Sequence, residues 1–245
     1  MRSRNPTLLA RLTRLTAGAF IAIERRQYPM LLAYTPAFIF LHVDKVAGSS
    51  IQAALVQYAE GRNNSRLRRK LVWLGTLNRL THLYRSLEFP EHVTAATVKR
   101  CLPADFYGAA FKFAFVRNPY DRIVSRYAYL VNNVRHRDHG RVMRMSFEDF
   151  IRWEDRRNTI SQHRYVTDTK GRMIVDFVGR YERLLADFAA VCSRLELTAE
   201  LPITNVSGHP DYRTYYTSQT RSLVERLCAD DLELFGYDFD GLRSG

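Results

Sequence analysis

The sequence predicts an α/β fold, a central and mostly parallel sheet flanked by helices. Two segments about seventy residues apart carry that expectation: Phe38-Ile-Phe-Leu-His-Val-Asp-Lys45-Val-Ala47-Gly48-Ser49-Ser50 and Phe111-Lys-Phe-Ala-Phe-Val-Arg117-Asn118-Pro119-Tyr-Asp121-Arg122-Ile-Val-Ser125. Each reads as a buried strand, a small polar turn and the start of a helix, the order from which parallel sheets are built. A third observation is the rest of the chain. Helical composition recurs at 50–60, 94–101, 119–134, 146–157, 182–197 and 217–229, with no internal repeat and no low-complexity linker.

Taking the elements in order, residues 1–36 stand apart as a basic N-terminal segment. Arg11 and Arg14 interrupt its apolar run, and the uninterrupted part, 15–23, is shorter than the roughly twenty residues a bilayer requires. Glu24, Arg25 and Arg26 follow, with no clear cleavage site. A basic amphipathic helix fits, either packed on the domain or lying on an anionic membrane face. Residues 37–245 read as one domain, an ordinary size for a single core.

Residues 38–43 are aromatic or β-branched apart from Leu41 and His42, which suits a buried parallel strand. Residues 44–50 are small and polar, and Ile51-Gln-Ala-Ala-Leu-Val-Gln-Tyr has helical composition. A helix starting near Gly48 or Ser49 leaves its first N–H groups unpaired, and those groups with the helix dipole bind anions. Gly48 admits a phosphate close to the backbone, Ser49 and Ser50 add hydroxyl donors, and Lys45 adds a point charge. This is not a Walker A loop, because the lysine precedes the glycine and the first glycine is missing. An ordinary strand-to-helix turn with an exposed lysine is the plain alternative. Residues 61–90 follow with a basic run (Arg62, Arg66, Arg68, Arg69, Lys70), either a solvated face or a surface for an anionic partner.

In the second segment Arg117 stands at the carboxyl end of the strand, where open α/β sheets bind ligands. Asn118 is a good N-cap, Pro119 suits the first helical position and Asp121 falls in the first turn. Ser125 lies about two turns into the helix, where a guanidinium and a hydroxyl can share one phosphate. The alternative is that Arg117 pairs with a carboxylate and Ser125 is a surface serine. Two such turns side by side make a site for a ligand with two separate phosphate groups.

At this point the chain resembles the carbohydrate-type sulfotransferases (sulfotransferase family 2), the group that holds the heparan 2-O- and chondroitin sulfotransferases and many bacterial relatives. The resemblance continues past the two turns in Ser146-Phe-Glu-Asp-Phe150, Asp176-Phe-Val-Gly-Arg-Tyr-Glu182, Leu201-Pro-Ile-Thr-Asn205-Val-Ser, Tyr212-Arg213-Thr-Tyr215-Tyr216-Thr217 and Leu234-Phe-Gly-Tyr237. It covers about residues 37–239. It implies a P-loop-like nucleotide-binding fold and transfer of a sulfuryl group from 3′-phosphoadenylyl sulfate (PAPS) to a hydroxyl, on a glycan or glycoside. By the same resemblance Lys45, Ala47, Gly48, Ser49 and Ser50 hold the 5′-phosphosulfate, and Arg117 and Ser125 hold the 3′-phosphate. Tyr212, Arg213 and Thr217 then lie in a loop that closes over the nucleotide, although those tyrosines also read as packing aromatics. One departure is Asp44, where the family usually has proline; it puts the rigidity of the loop in question more than its chemistry.

The chemistry divides the roles. Lys45 is the cation for charge developing on the bridging and leaving oxygens, with no metal required, while Arg117 and Ser125 only position. His92 resembles the family's general base, and an imidazole titrates near working pH. The alternatives are that His92 caps the helix beginning near Thr94, or that His82, or a carboxylate such as Glu88 or Glu91, is the base. His42 reads as a core or supporting group, and His136 and His139 as solvated. The 131–145 stretch, with Asn132, Asn133, Arg135, His136, Arg137, Arg141 and Arg144, is the candidate acceptor-side loop.

Charge fits this reading. A net charge of +12 implies an anionic partner: a polyanionic nucleotide, an acidic glycan, a membrane face or a nucleic acid. Only five of the 37 basic residues are lysine, which makes Lys45 in the loop more notable. The arginine bias suits bidentate anion contacts, or reflects a GC-rich genome. Cys101, Cys192 and Cys228 are scattered singly, without zinc spacing, and their odd number argues for a reducing compartment. The eukaryotic relatives are Golgi type II membrane proteins; with no such anchor read here, the expectation is a bacterial, cytoplasmic protein, with the N-terminal segment as its route to a membrane. An ATP-dependent P-loop kinase is disfavoured by the missing Gly-Lys-Ser/Thr and Walker B aspartate. A nucleic-acid-binding protein is disfavoured by the absence of a helix-turn-helix, zinc-finger or stacking motif, so no nucleic acid is expected.

Overall fold

The computed structural model describes residues 30–59, 89–202 and 208–243. The expected helix within 1–29, the basic run after residue 60, His82, Glu88 and Asn205 lie outside the described residues. Four strands form one sheet in the order β1 (Leu31–Tyr34), β2 (Ala37–Leu41), β3 (Phe111–Val116), β4 (Phe177–Arg180). β1 is an antiparallel edge, and β2, β3 and β4 are mutually parallel. The mostly parallel α/β architecture expected from the sequence is therefore present. β1 comes from the last part of the stretch set apart at 1–36, so the sheet takes in part of that segment.

Phenylalanine explains the sheet. Phe38, Phe40, Phe113 and Phe115 are completely buried. Phe40 stands opposite Phe113 in the register, with ring centroids 5.2 Å apart. β4 keeps Gly179 beside Phe115, because a Cβ there would meet that ring at 2.4 Å. One residue breaks the apolar pattern. Lys112 is buried within β3, and its Nζ donates to the carbonyls of Tyr107 and Ala110 and pairs with Asp176 at 2.8 Å. A buried ammonium persists only when its donors are met in this way.

The helices are α1 (Gly48–Leu55), α2 (Ala95–Cys101), α3 (Ala104–Ala109), α4 (Pro119–Asn132), α5 (His139–Val142), α6 (Phe147–Arg156), α7 (Leu184–Leu195), α8 (Ser218–Leu227) and α9 (Ala229–Phe235). All six expected helices are present within a few residues of their expected bounds. α3, α5 and α9 span only one or two turns, too few for a periodic signal. Because β2 and β3 are parallel neighbours, their carboxyl ends share one edge of the sheet. That edge brings the turn before α1 beside the turn before α4.

Candidate functional site

The turn from β2 to α1 is tightly wound. Lys45 and Ala47 take left-handed backbone conformations, with φ of 67° and 64°. Such conformations cost non-glycine residues roughly 1–3 kcal/mol each and gather at functional sites. Ala47 is the N-cap of α1 with no side-chain cap; the Ser50 N–H donates to the Ala47 carbonyl at 3.0 Å, and the helix N-terminus, a place where anions bind, opens at this turn. Ser50 is buried and Ser49 exposed. Gly48 is required by a neighbour, since a Cβ there would lie 1.9 Å from His42 Nε2. Lys45 Nζ rests over the Tyr129 ring, 4.1 Å from its centroid, a cation–π contact from α4.

Asp44 anchors this turn rather than loosening it. Its carboxylate pairs with Arg126 at 3.0 Å, and its carbonyl accepts from Arg122 at 3.5 Å. Burial alone would raise its pKa, but the charges of Arg126, Lys45 and Arg122, joined by His92 whenever that ring is protonated, outweigh that and hold it below the ordinary value. Two arginines of α4 thus fasten the loop where the family has proline.

The turn from β3 to α4 presents Arg117, buried and held on several sides. Its backbone N–H donates to Gln162 Oε1 at 3.0 Å, and its carbonyl accepts from Gln162 Nε2 at 2.8 Å. Gln162 is in turn fixed by the buried Asp231, which accepts from its backbone N–H at 2.7 Å. The guanidinium lies over the Tyr181 ring at 4.0 Å, and its Nε pairs with Asp121 at 2.6 Å. The carboxylate partner foreseen as an alternative is therefore present, but it occupies one edge of the group. Nη1 lies 3.5 Å from the Lys45 carbonyl and Nη2 lies 3.5 Å from His209 Nε2. A phosphate oxygen would be a stronger acceptor than either. Asn118 caps α4 by accepting from the Tyr120 N–H, with Pro119 at the first position. Ser125 is buried, not a surface serine.

His92 stands beside the first turn. Its Nδ1 lies 3.1 Å from the His42 carbonyl. A carbonyl only accepts, so Nδ1 carries a proton, and in the neutral ring the lone pair is then on Nε2. That is the tautomer a base requires. Thr94, not His92, caps α2, by accepting from the Thr97 N–H. His42 is buried, pairs with Glu91 at 3.1 Å and meets the His92 ring edge-on at 4.9 Å. Glu91 is thereby engaged with His42. His136 and His139 are half-buried and hydrogen-bonded rather than solvated: His136 accepts from the Asp138 N–H, and His139 Nδ1 bonds the Leu130 carbonyl.

The segment 208–217 packs on the start of α4 but spends its side chains locally. Tyr212 donates to the Phe239 carbonyl, Arg213 pairs with Asp211 and Asp240, and Thr217 forms the capping box of α8. Tyr216 packs edge-on against Tyr120, Phe147 and Phe239, as the packing alternative foresaw. The residue of this segment that reaches Arg117 is His209, which the sequence did not single out. Gln162 and Tyr181 were also missed, and neither carries a local signal. Arg126 had one, since it lies four residues after Arg122 on the same helix face.

Residues 29–238, most of the chain, match the pattern of the sulfotransferase family. The chain belongs to that family. It is also similar, at 30% identity over 103 residues, to a protein of Archaeoglobus fulgidus described only as uncharacterised; the match covers 41% of this chain and 81% of that protein. Membership in the sulfotransferase family implies PAPS as the donor. The donor groups of the two turns fit a molecule with phosphate at both ends: an uncapped helix N-terminus with Lys45 in one turn, and the guanidinium of Arg117 in the other. Among the described residues no helix is long and apolar enough to cross a membrane. Among the same residues no group of three or more His, Cys, Asp or Glu could hold a metal ion.

Proposed function

We propose that this sulfotransferase moves a sulfuryl group from PAPS to a carbohydrate hydroxyl. The observation that carries the reading is the meeting of the two turns, with Arg117 Nη1 3.5 Å from the Lys45 carbonyl. One turn supplies a lysine and helix amides; the other supplies a buried, immobilised guanidinium. Arg117 and Ser125 hold the 3′-phosphate, and Ser49, Ser50 and the α1 amides hold the 5′-phosphosulfate. Lys45 meets the charge that develops on the leaving phosphate oxygen as the sulfur–oxygen bond breaks. His92 Nε2 takes the proton of the acceptor hydroxyl as its oxygen bonds to sulfur.

The acceptor enters on the side of α4 that carries Tyr129. That ring is partly exposed beside Lys45, and Val134 and Met143 are 74% and 56% exposed on the stretch that follows α4. Arg135, Arg137, Arg141 and Arg144 are exposed on the same stretch. An aromatic ring with apolar and guanidinium neighbours suits a sugar, offering a stacking face and donors for hydroxyl or acidic groups. The deciding experiment is calorimetric titration with adenosine 3′,5′-bisphosphate, with ATP as control and Arg117→Ala alongside. Micromolar binding of the bisphosphate, weak ATP binding and loss in the variant are expected. Equal binding of ATP would refute the two-phosphate reading.

A further inference from the structure

His209 belongs to the Arg117 turn although it comes from a loop 92 residues downstream. Its side chain is only 6% exposed. Its Nδ1 lies 2.8 Å from the Pro210 carbonyl, so Nδ1 carries a proton. Its Nε2 lies 3.5 Å from Arg117 Nη2 and 3.6 Å from Asp121 Oδ1. These neighbours ask opposite things of one nitrogen. Arg117 can only donate, so it is satisfied by a bare Nε2. The carboxylate of Asp121 can only accept, so it is satisfied by Nε2–H. Both distances are long, and neither neighbour claims the nitrogen outright.

Among the described residues, the other groups around it are engaged elsewhere. Tyr215 meets the ring edge-on at 6.4 Å, and Tyr181 covers a face of Arg117. Asp211 and Arg213, next along the loop, pair with each other at 3.1 Å, and Asp240 pairs with Arg213. Glu182, beside Tyr181, accepts from the Asn118 N–H and from the Tyr237 hydroxyl.

We propose that His209 is a further residue of the 3′-phosphate site, and that it takes up a proton when that phosphate binds. The proposal rests on the assignment of Arg117 to the 3′-phosphate. A phosphate monoester brings nearly two negative charges and only acceptor oxygens. Arg117 Nη2 then donates to a phosphate oxygen instead of to Nε2. The imidazole changes from acceptor to donor by accepting a solvent proton on Nε2, and Nε2–H points at the phosphate or at Asp121. Imidazole is the side chain suited to this exchange near neutral pH. By linkage, a nucleotide with a 3′-phosphate binds more tightly as pH falls through that range, and one without it gains nothing from His209. The phosphate's own titration, near pH 6, works the other way by removing charge. The comparison therefore needs the unmodified protein and a variant.

The test is calorimetric titration of the full chain with adenosine 3′,5′-bisphosphate and with adenosine 5′-monophosphate. Each is run at pH 7.5 in two buffers of different ionisation enthalpy, so that affinity and protons exchanged are both read. The unmodified protein is expected to take up protons with the bisphosphate and not with the monophosphate. His209→Gln, which keeps a polar side chain but cannot ionise, is expected to bind the bisphosphate about tenfold more weakly. It should take up no proton and bind the monophosphate as before. Equal proton exchange for the two nucleotides in the unmodified protein overturns the proposal without relying on any variant. Tight bisphosphate binding with an unchanged ratio between the nucleotides in His209→Gln overturns the role of His209 alone. Bisphosphate binding no tighter than ATP removes the phosphate assignment, and this proposal falls with it.

Discussion

Gly48→Ala puts a methyl group where the His42 ring lies. The added carbon would meet Nε2 at 1.9 Å and Cδ2 at 2.0 Å, whereas ordinary contact begins at 3.4 Å, so the ring must retreat by about 1.5 Å. It has little room to do so. Glu91 Oε1 lies 3.1 Å from its Nδ1 without hydrogen-bond alignment, the His92 ring stands 4.9 Å away, and the Phe40 ring stacks at 5.9 Å. Gly48 opens α1 and has no left-handed φ, so alanine by itself would gain roughly 0.5–1 kcal/mol there. Overpacking costs roughly 1–3 kcal/mol. The clash wins, and a net loss of about 1–2 kcal/mol lowers the melting temperature by roughly 2–8 °C for a chain of this size. Thermal melts of Gly48→Ala, His42→Ala and the double variant form the cycle. With the ring gone, the alanine should be neutral or stabilising. An equal penalty with and without His42 would refute the steric reason given for this glycine.

The division of labour in the site predicts different kinetics for its cations: Lys45→Ala should lower kcat, and Arg117→Ala should mainly raise KM for the nucleotide. Equal kcat losses in both would contradict it. His92→Gln should lower kcat by about 10²–10⁴-fold at neutral pH, the span of general-base catalysis, with nucleotide affinity nearly unchanged; near-normal turnover would remove His92 as base. His163 has its pKa raised above 6.5 by its hydrogen bond to Asp231, against the effect of burial and with the Asp231 and Asp230 charges adding to the rise. Its contribution to stability is therefore complete below about pH 6.5 and is lost as pH rises through the raised value. Melting temperature should fall from pH 6 to pH 8.5, and His163→Gln should flatten that part of the profile.

The parts of this molecule that were legible in the sequence are those written in consecutive residues. The runs at 38–43 and 111–116 are apolar enough to be strands in any context, and each is followed by its own turn and helix start. The placement of Lys45, Gly48, Arg117 and Ser125 on or just after those turns was legible for that reason. β1 and β4 were not, because four-residue strands carry too little pattern and are fixed by pairing with neighbours. The groups that hold Arg117 were hidden for another reason. Gln162 and His209 lie 45 and 92 residues away in sequence, in stretches that read as loop.

The two cations of the site are built in opposite ways, and the difference suits the tasks proposed for them. Arg117 is fixed at its backbone by Gln162, at Nε by Asp121 and over one face by Tyr181. A group that must grip a distant phosphate gains from such immobility, because the ordering cost is met on folding rather than on binding. Lys45 sits on a left-handed turn, and its ammonium rests on an aromatic face, a contact worth about 0.5–2 kcal/mol. An anionic oxygen attracts an ammonium more strongly than an aromatic face does. Asp44 reconciles the two demands. Its pairing with Arg126 fixes the base of the loop through a charge rather than a proline ring, so the backbone is held while the lysine side chain beyond it stays able to follow charge as it moves.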